Sequence, residues 1–345
     1  MSNRSLTTLR RPLLGALAAF CLSGASFAEA AEVNVYTSRE PQLIKPVLAA
    51  FTKATGVKVN AVFLQNGLEE RVKAEGQNSP VDVIVLVDAA RLAGAADMGI
   101  TQKVSSPELE KNVPANLRDP AGQWFATTLR SRVIYASKDR VKQDAMTYEE
   151  LADPKWKGRV CIRSGQHPYN VSLIAAVIAR HGEEQAAEWL KGVKANLARK
   201  PSGGDREVAR DILAGLCDIG VGNTYYIGLL RNDPDPGQRA WGDAVKILDS
   251  SFAGGGAHVN ISGAAVARHA PHRDEAIKLI TFLTSDEAQT LMADANYEYP
   301  IRAGIADSNT EKQFGPIKPD SLPLAEIAKN RKTASELVDR TGFDN

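Results

Sequence analysis

Two adjacent tyrosines, Tyr225 and Tyr226, stand in the stretch Cys217-Asp-Ile-Gly-Val-Gly-Asn-Thr-Tyr-Tyr-Ile-Gly-Leu-Leu230. Cys217 to Gly222 is apolar enough and long enough for one buried strand. Asn223 and Thr224 are helix-capping types, and the apolar pattern after them predicts a helix start. In open α/β sheets the carboxyl end of a strand is where ligands bind. Neighbouring side chains on a first helical turn diverge by only about 100°, so both phenols could face one cleft. On this stretch alone the plainer alternative is one packed tyrosine and one exposed.

Other strand ends carry Arg39 and Glu40, Asp88, Arg130 and Arg132, and His167 with Tyr169. Phenols with a pKa near 10 are useless bases at neutral pH. A hard, highly charged cation changes that by deprotonating its ligands. Ferric iron suits phenolate oxygens, and several of them balance its three charges. A nearby Arg could hold a carbonate-like anion bidentately. Each residue also has an ordinary alternative. Tyr169 could be structural, His167 a surface residue, Asp88 a helix cap, and Arg130 and Arg132 partners of acids.

Enzymatic templates fit poorly. G-x-S-x-G and H-E-x-x-H are absent, and the five dispersed His give no zinc-ligand spacing. Ser38-Arg39-Glu40 stands where a dinucleotide loop needs glycines, and no G-x-x-x-x-G-K-[ST] occurs.

The elements that must position these residues read as α/β throughout. A strand over 32–37, a helix from Pro41 to Thr55, a strand over 57–64, a helix over 68–75 and the β-rich run 81–87 form a doubly wound lobe. After a Pro-rich, polar connection (105–123), the alternating segment 128–136 predicts a strand crossing between lobes, with Arg130 and Arg132 on one face. A second α/β lobe follows: helix and turn over 147–158, strand 159–163, loop 164–170, helices 171–181, 183–197 and 205–214, then the Cys217 strand. Gly254–Gly256 reads as a hinge. A strand over 258–267 and helices 273–283 and 286–295 return to the first lobe. The expected divisions are 1–30, 31–128, 129–255, 256–300 and a largely helical 301–345.

Residues 1–30 read as a secretory signal: Arg4, Arg10 and Arg11, an apolar core from Pro12 to Phe27, and Ala28-Glu29-Ala30 as the cleavage site after Ala30. No later run reaches the roughly 18 apolar residues of a membrane helix. The chain is +1 overall, and residues 1–30 hold three Arg and one Glu, leaving −1 for the rest. That argues against a nucleic-acid surface. With Cys21 removed, Cys161 and Cys217 remain; in an oxidising compartment they predict one disulfide, the alternative being two free thiols.

The chain resembles the periplasmic ferric-iron-binding proteins of bacterial ABC importers, of the two-lobed periplasmic-binding-protein type. The landmarks are V-N-V-Y-T-S-R (33–39), V-D-V-I-V-L-V-D-A (81–89), L-R-S-R-V-I-Y (129–135), K-G-R-V-C-I-R-S-G-Q-H-P-Y-N (157–170), G-N-T-Y-Y (222–226) and N-Y-E-Y-P (296–300). The resemblance implies that Tyr169, Tyr225 and Tyr226 bind Fe(III) as phenolates while the 38–41 loop closes over the metal. Many relatives carry S-R-H-Y at that loop, where this chain has Ser38-Arg39-Glu40-Pro41. Pro41 cannot ligate through its side chain. Glu40 either offers a carboxylate or faces solvent. Arg39 and Arg130 are the expected holders of a synergistic anion. The implied protein is a periplasmic, monomeric solute-binding protein, peripheral to the membrane, serving an ABC permease and its ATPase. The rival expectations are a binding protein of the same fold for an organic or oxyanion solute, and an exported enzyme using Tyr and Arg.

Overall fold

The computed structural model describes residues 1–2, 31–302, 305 and 309–345. The expected export signal and its cleavage point fall outside the described residues. Residues 31–345 form one compact unit.

The first strand, β1 (Glu32–Thr37), pairs in parallel with β2 (Lys58–Phe63) and with β3 (Val83–Val87). The helix Pro41–Thr55 crosses between β1 and β2. It begins on Pro41, whose fixed φ suits a first turn, and stops at Gly56 in the left-handed conformation. Ile44, Val47, Leu48 and Phe51 form its buried stripe, the spacing legible in the sequence.

The central strand is β4 (Phe125–Ser137), thirteen residues buried along their whole length. Its first half pairs antiparallel with β10 (Val259–Val266), which lies between β3 and β4. Its second half pairs antiparallel with β7 (Ile219–Asn223) and β8 (Val245–Ile247). The change of partner falls at Ser131–Arg132, where the Arg132 N–H donates to the His258 carbonyl at 3.0 Å. One strand thus belongs to both lobes. The short β6 (Val160–Cys161) pairs in parallel with β7, and β5 (Ala145–Thr147) with β9 (Asp249–Ser251) makes a separate small sheet. The doubly wound pattern is therefore full in the first lobe, whereas the second builds on a smaller mixed sheet.

Several boundaries differ from expectation. Residues 147–158 form two 3₁₀ turns instead of a helix, broken where Pro154 starts the second. The strand over 159–163 shrinks to Val160–Cys161, and Arg163 beyond it pairs with Asp205 at 3.4 Å. The 105–123 connection contains a short helix, Pro107–Asn112, capped by Ser106. The 254–256 stretch expected as a hinge is tied to the C-terminal segment. The Gly256 N–H donates to Asp320 Oδ2 at 2.8 Å, and Ala257 exchanges backbone bonds with Lys318 and Asp320.

Cys161 and Cys217 are bonded, as expected, and both are buried with Tyr135, Val133, Val208 and Ile227. Cys217 precedes β7 rather than lying in it. The helices Asn309–Phe314, Leu324–Lys329 and Arg331–Arg340 finish the chain. Leu324–Lys329 packs on Ala89–Asp97 from the first lobe and on Pro168–His181 from the second. No described helix is long and apolar enough to cross a membrane.

Candidate functional site

Tyr169, Tyr225 and Tyr226 come together at one cleft of about 380 Å³. Tyr169 sits in the first turn of the helix Pro168–His181 and not, as the sequence reading had it, in the preceding loop. Pro168 opens that helix, and His167 caps it by accepting the Tyr169 N–H on Nδ1 at 3.2 Å. Tyr225 and Tyr226 occupy the first turn of the helix Thr224–Arg231, with Asn223 before it. The Thr224 helix follows β7 directly and the Pro168 helix follows the adjacent β6 after the 162–167 loop, and the first turns of both line the same cleft. The Tyr169 and Tyr225 hydroxyls are 3.2 Å apart, and the Tyr225 and Tyr226 rings stand 4.3 Å apart.

A single guanidinium ties the two turns together. Arg132 donates to Asn170 Oδ1 (2.7 Å from Nη2), next to Tyr169, and to Asn223 Oδ1 (3.1 Å), two residues before Tyr225. Its charge is met by Asp205 at 2.6 Å, which also accepts the Asn223 N–H at 3.0 Å. Behind β7, the Tyr135 hydroxyl donates to the Asn223 carbonyl. Gly222 permits this approach, since a Cβ there would lie 2.2 Å from the Tyr135 ring. The sequence offers Arg132 as a partner of acids, which its pairing with Asp205 bears out, but it did not single out Asp205 itself or Asn170 and Asn223 as supports. Asn170 and Asn223 adjoin the tyrosine motifs, which was the available signal.

Positive charge surrounds the phenols. The Arg130, Arg163 and Arg132 guanidinium carbons lie 5.1, 5.5 and 5.8 Å from the Tyr169 ring centre, and Arg206 lies 5.5 Å from that of Tyr226. Arg130 is buried. Its Nη1 reaches Ser262 Oγ at 3.4 Å, while its Nη2 finds no protein partner among the described residues. A buried donor without an acceptor is costly and suits an incoming anion.

Burial, with the neighbouring phenols Tyr169 and Tyr226, pushes the Tyr225 pKa well above the ordinary value. Burial, then Tyr169 and Asp205, pushes Tyr226 up as well. Both are neutral phenols at neutral pH. Burial, with Arg163 and Arg132 close by, pushes His167 down to about 3, so its imidazole is neutral too.

The opposite wall comes from the first lobe. Arg39 is buried and committed: it pairs with Glu298 and donates to Ser262 Oγ at 2.8 Å. Glu298, the acid within N-Y-E-Y-P, was not singled out from sequence and lines the cleft. Glu40 also lines the cleft, half-buried, with its carboxylate accepting from Gln42. Asp88 lies away from it. It caps the helix Ala89–Asp97 through the Ala90 N–H at 2.8 Å and pairs with Arg331 at 3.0 Å, which is its ordinary reading. Among the described residues no three His, Cys, Asp or Glu cluster as a metal site.

Residues 78–321 match the family of bacterial extracellular solute-binding proteins. Iron uptake protein A1 of Synechocystis sp. is 43% identical over 317 residues, covering 91% of this chain and 88% of that protein. Among solved structures, the Bordetella ferric binding protein shares 58% identity at a TM-score of 0.85, covering 91% of this chain and 100% of that one. A Trichodesmium protein solved with iron and citrate ligands shares 40% identity at a TM-score of 0.84, covering 90% and 99%.

Proposed function

Because the chain belongs to the bacterial extracellular solute-binding protein family, we propose that its cleft captures ferric iron and delivers it to an ABC permease. The observation that carries this reading is the cluster of three phenols, with two hydroxyls 3.2 Å apart, under a ring of guanidinium groups. Tyr169, Tyr225 and Tyr226 bind Fe(III) as phenolates, each giving up its proton on ligation. The metal's charge overcomes the burial that keeps Tyr225 and Tyr226 protonated without it.

Arg130 holds an oxygen-rich anion, carbonate-like or a carboxylate, through its unpartnered Nη2. Arg39, already neutralised by Glu298, orders the first-lobe wall. Glu40 supplies a carboxylate from that wall to the metal. Iron bridging both walls shifts the open–closed equilibrium by its greater affinity for the closed form. The protein works in the periplasm after removal of residues 1–30, and docking on the permease or protonation of the phenolates releases the cargo.

The purified protein with Fe(III) is expected to show a red-orange phenolate-to-iron band that Tyr225→Phe and Tyr226→Phe each diminish. A colourless protein with no thermal response to Fe(III) would sink this reading. The unpartnered Arg130 Nη2 also favours a second one, an oxyanion solute alone. Stabilisation by the anion without iron would mark that case.

A further inference from the structure

The loop that delivers Tyr169 to the cleft is held from both sides. On the inside, Arg132 grips Asn170, whose own Nδ2 donates to the Arg163 and Ser164 carbonyls at 3.0 Å each. On the outside, a carboxylate far away in sequence does the same work. Asp344 accepts from Ser164 Oγ at 2.6 Å, from the Gly165 N–H at 2.7 Å and from the Gln166 N–H at 3.3 Å. Beside it, the Gln166 amide donates to the Ser335 carbonyl (2.9 Å) and to Asp339 Oδ1 (2.8 Å), and it accepts from Ser335 Oγ (2.7 Å). Gly165 lies so close to this segment that a Cβ would sit 2.8 Å from the Phe343 ring and 2.9 Å from Val338.

Three donors converging on one carboxylate form an anion cradle filled from within the chain. The next bonds lead straight to the phenol: the His167 N–H donates to the Ser164 carbonyl at 3.1 Å, and His167 caps the turn that carries Tyr169.

From this we infer that Asp344 is a positioning residue for Tyr169, fixing the 164–166 loop so that the phenol meets Tyr225 at ligating distance. The inference rests on the ferric reading of the cleft and names a part of its machinery that touches neither metal nor anion. Without Asp344, the Gly165 N–H and the Ser164 hydroxyl turn to water and the Gln166 N–H keeps only Ser164 Oγ at 3.1 Å, so the loop loosens and the Tyr169 turn loses its fixed start. A ligand misplaced by even an ångström binds much more weakly.

The test uses the full chain with Asp344→Ala, Asp344→Asn and, as control, Arg340→Ala. Among the described residues Arg340 pairs with exposed Glu183 and makes no bond to the loop. Fe(III) affinity is read by competition with citrate, the phenolate band by absorption, and the 164–170 amides by hydrogen exchange without iron. Asp344→Ala is expected to bind Fe(III) at least tenfold more weakly, with a weakened phenolate band and lost protection confined to 164–170. Asp344→Asn keeps an acceptor and should recover part of each change, while Arg340→Ala should match the wild type. Wild-type exchange at 164–170 in Asp344→Ala overturns the inference. So does an affinity within twofold of wild type, or an equal loss in Arg340→Ala. A wild-type protein that takes up no Fe(III) overturns the ferric reading; the positioning of the loop is then judged on exchange alone.

Discussion

Removing the Asp205 carboxylate is the sharpest challenge to the way the tyrosine turns are held. The Asp205 side chain is fully buried and that of Arg132 is 2% exposed. Asp205→Ala leaves Arg132 with amide acceptors at Asn170 and Asn223 but no counter-charge, and it takes from Arg163 its partner at 3.4 Å. Breaking a buried pair by deleting one member costs about 3–5 kcal/mol. Unfolding entropy of about 2.1 cal/mol/K per residue gives a cooperative unit of roughly 300 residues about 0.6 kcal/mol/K. A loss near 4 kcal/mol then lowers Tm by about 6 °C. Thermal unfolding of the iron-free protein measures this directly. The double variant Arg132→Met with Asp205→Leu removes both charges together and should recover much of the loss, because a desolvated pair gives little net stability over apolar packing. A single variant within about 1 °C of wild type, or a double variant no more stable than the single, would refute the reasoning.

Two further outcomes follow from buried groups elsewhere. Replacing Cys161 and Cys217 by Ser opens a cross-link spanning 56 residues of sequence, worth about 4 kcal/mol in the chain-entropy model. Tm should fall by about 6 °C while the phenolate band keeps its position; a variant as stable as the disulfide-bonded wild type would contradict this. His258 is buried, and burial with Arg132 and Arg130 nearby pushes its pKa down to about 3, against about 6.5 unfolded. Between those values the unfolded chain binds the extra proton. Stability is therefore full above pH 6.5 and falls by about 1.4 kcal/mol per unit as pH drops, roughly 2 kcal/mol by pH 5. His167, depressed in the same direction, adds to that slope. Denaturant unfolding of His258→Gln at pH 7 and pH 5 should show a shallower fall than wild type, and an unchanged slope would exclude the assignment.

Local chemistry accounts for what could be read beforehand. Pro41 and Gly56 bracket their helix, and the alternation around Arg130 marked β4 because both signals act within a few residues. Tyr225 and Tyr226 stood out beside a helix-start signal at a strand end, and Tyr169 as a phenol in a strand-end loop. Their supports did not, because register creates them. Arg132 lies opposite Asn223 only once β4 pairs with β7, and Asp205 is brought in from 73 residues away. Arg39 and Glu298 lie 259 residues apart, a pairing no spacing rule reaches. The late start assigned to the Tyr169 helix is a local error. Pro168 is a first-turn residue, and treating it as loop hid the cap on His167.

The insertion of β10 between β3 and β4 also sets an order of events in the life of the chain. β3 ends at Val87 and meets its antiparallel neighbour only when residues 259–266 exist, after the whole second lobe. Closing a loop of that length is entropically costly and slow. A growing chain therefore carries its first strands for most of its synthesis without the partner that completes their sheet. Connectivity alone keeps the first lobe open, so that the part made earliest is among the last to be finished.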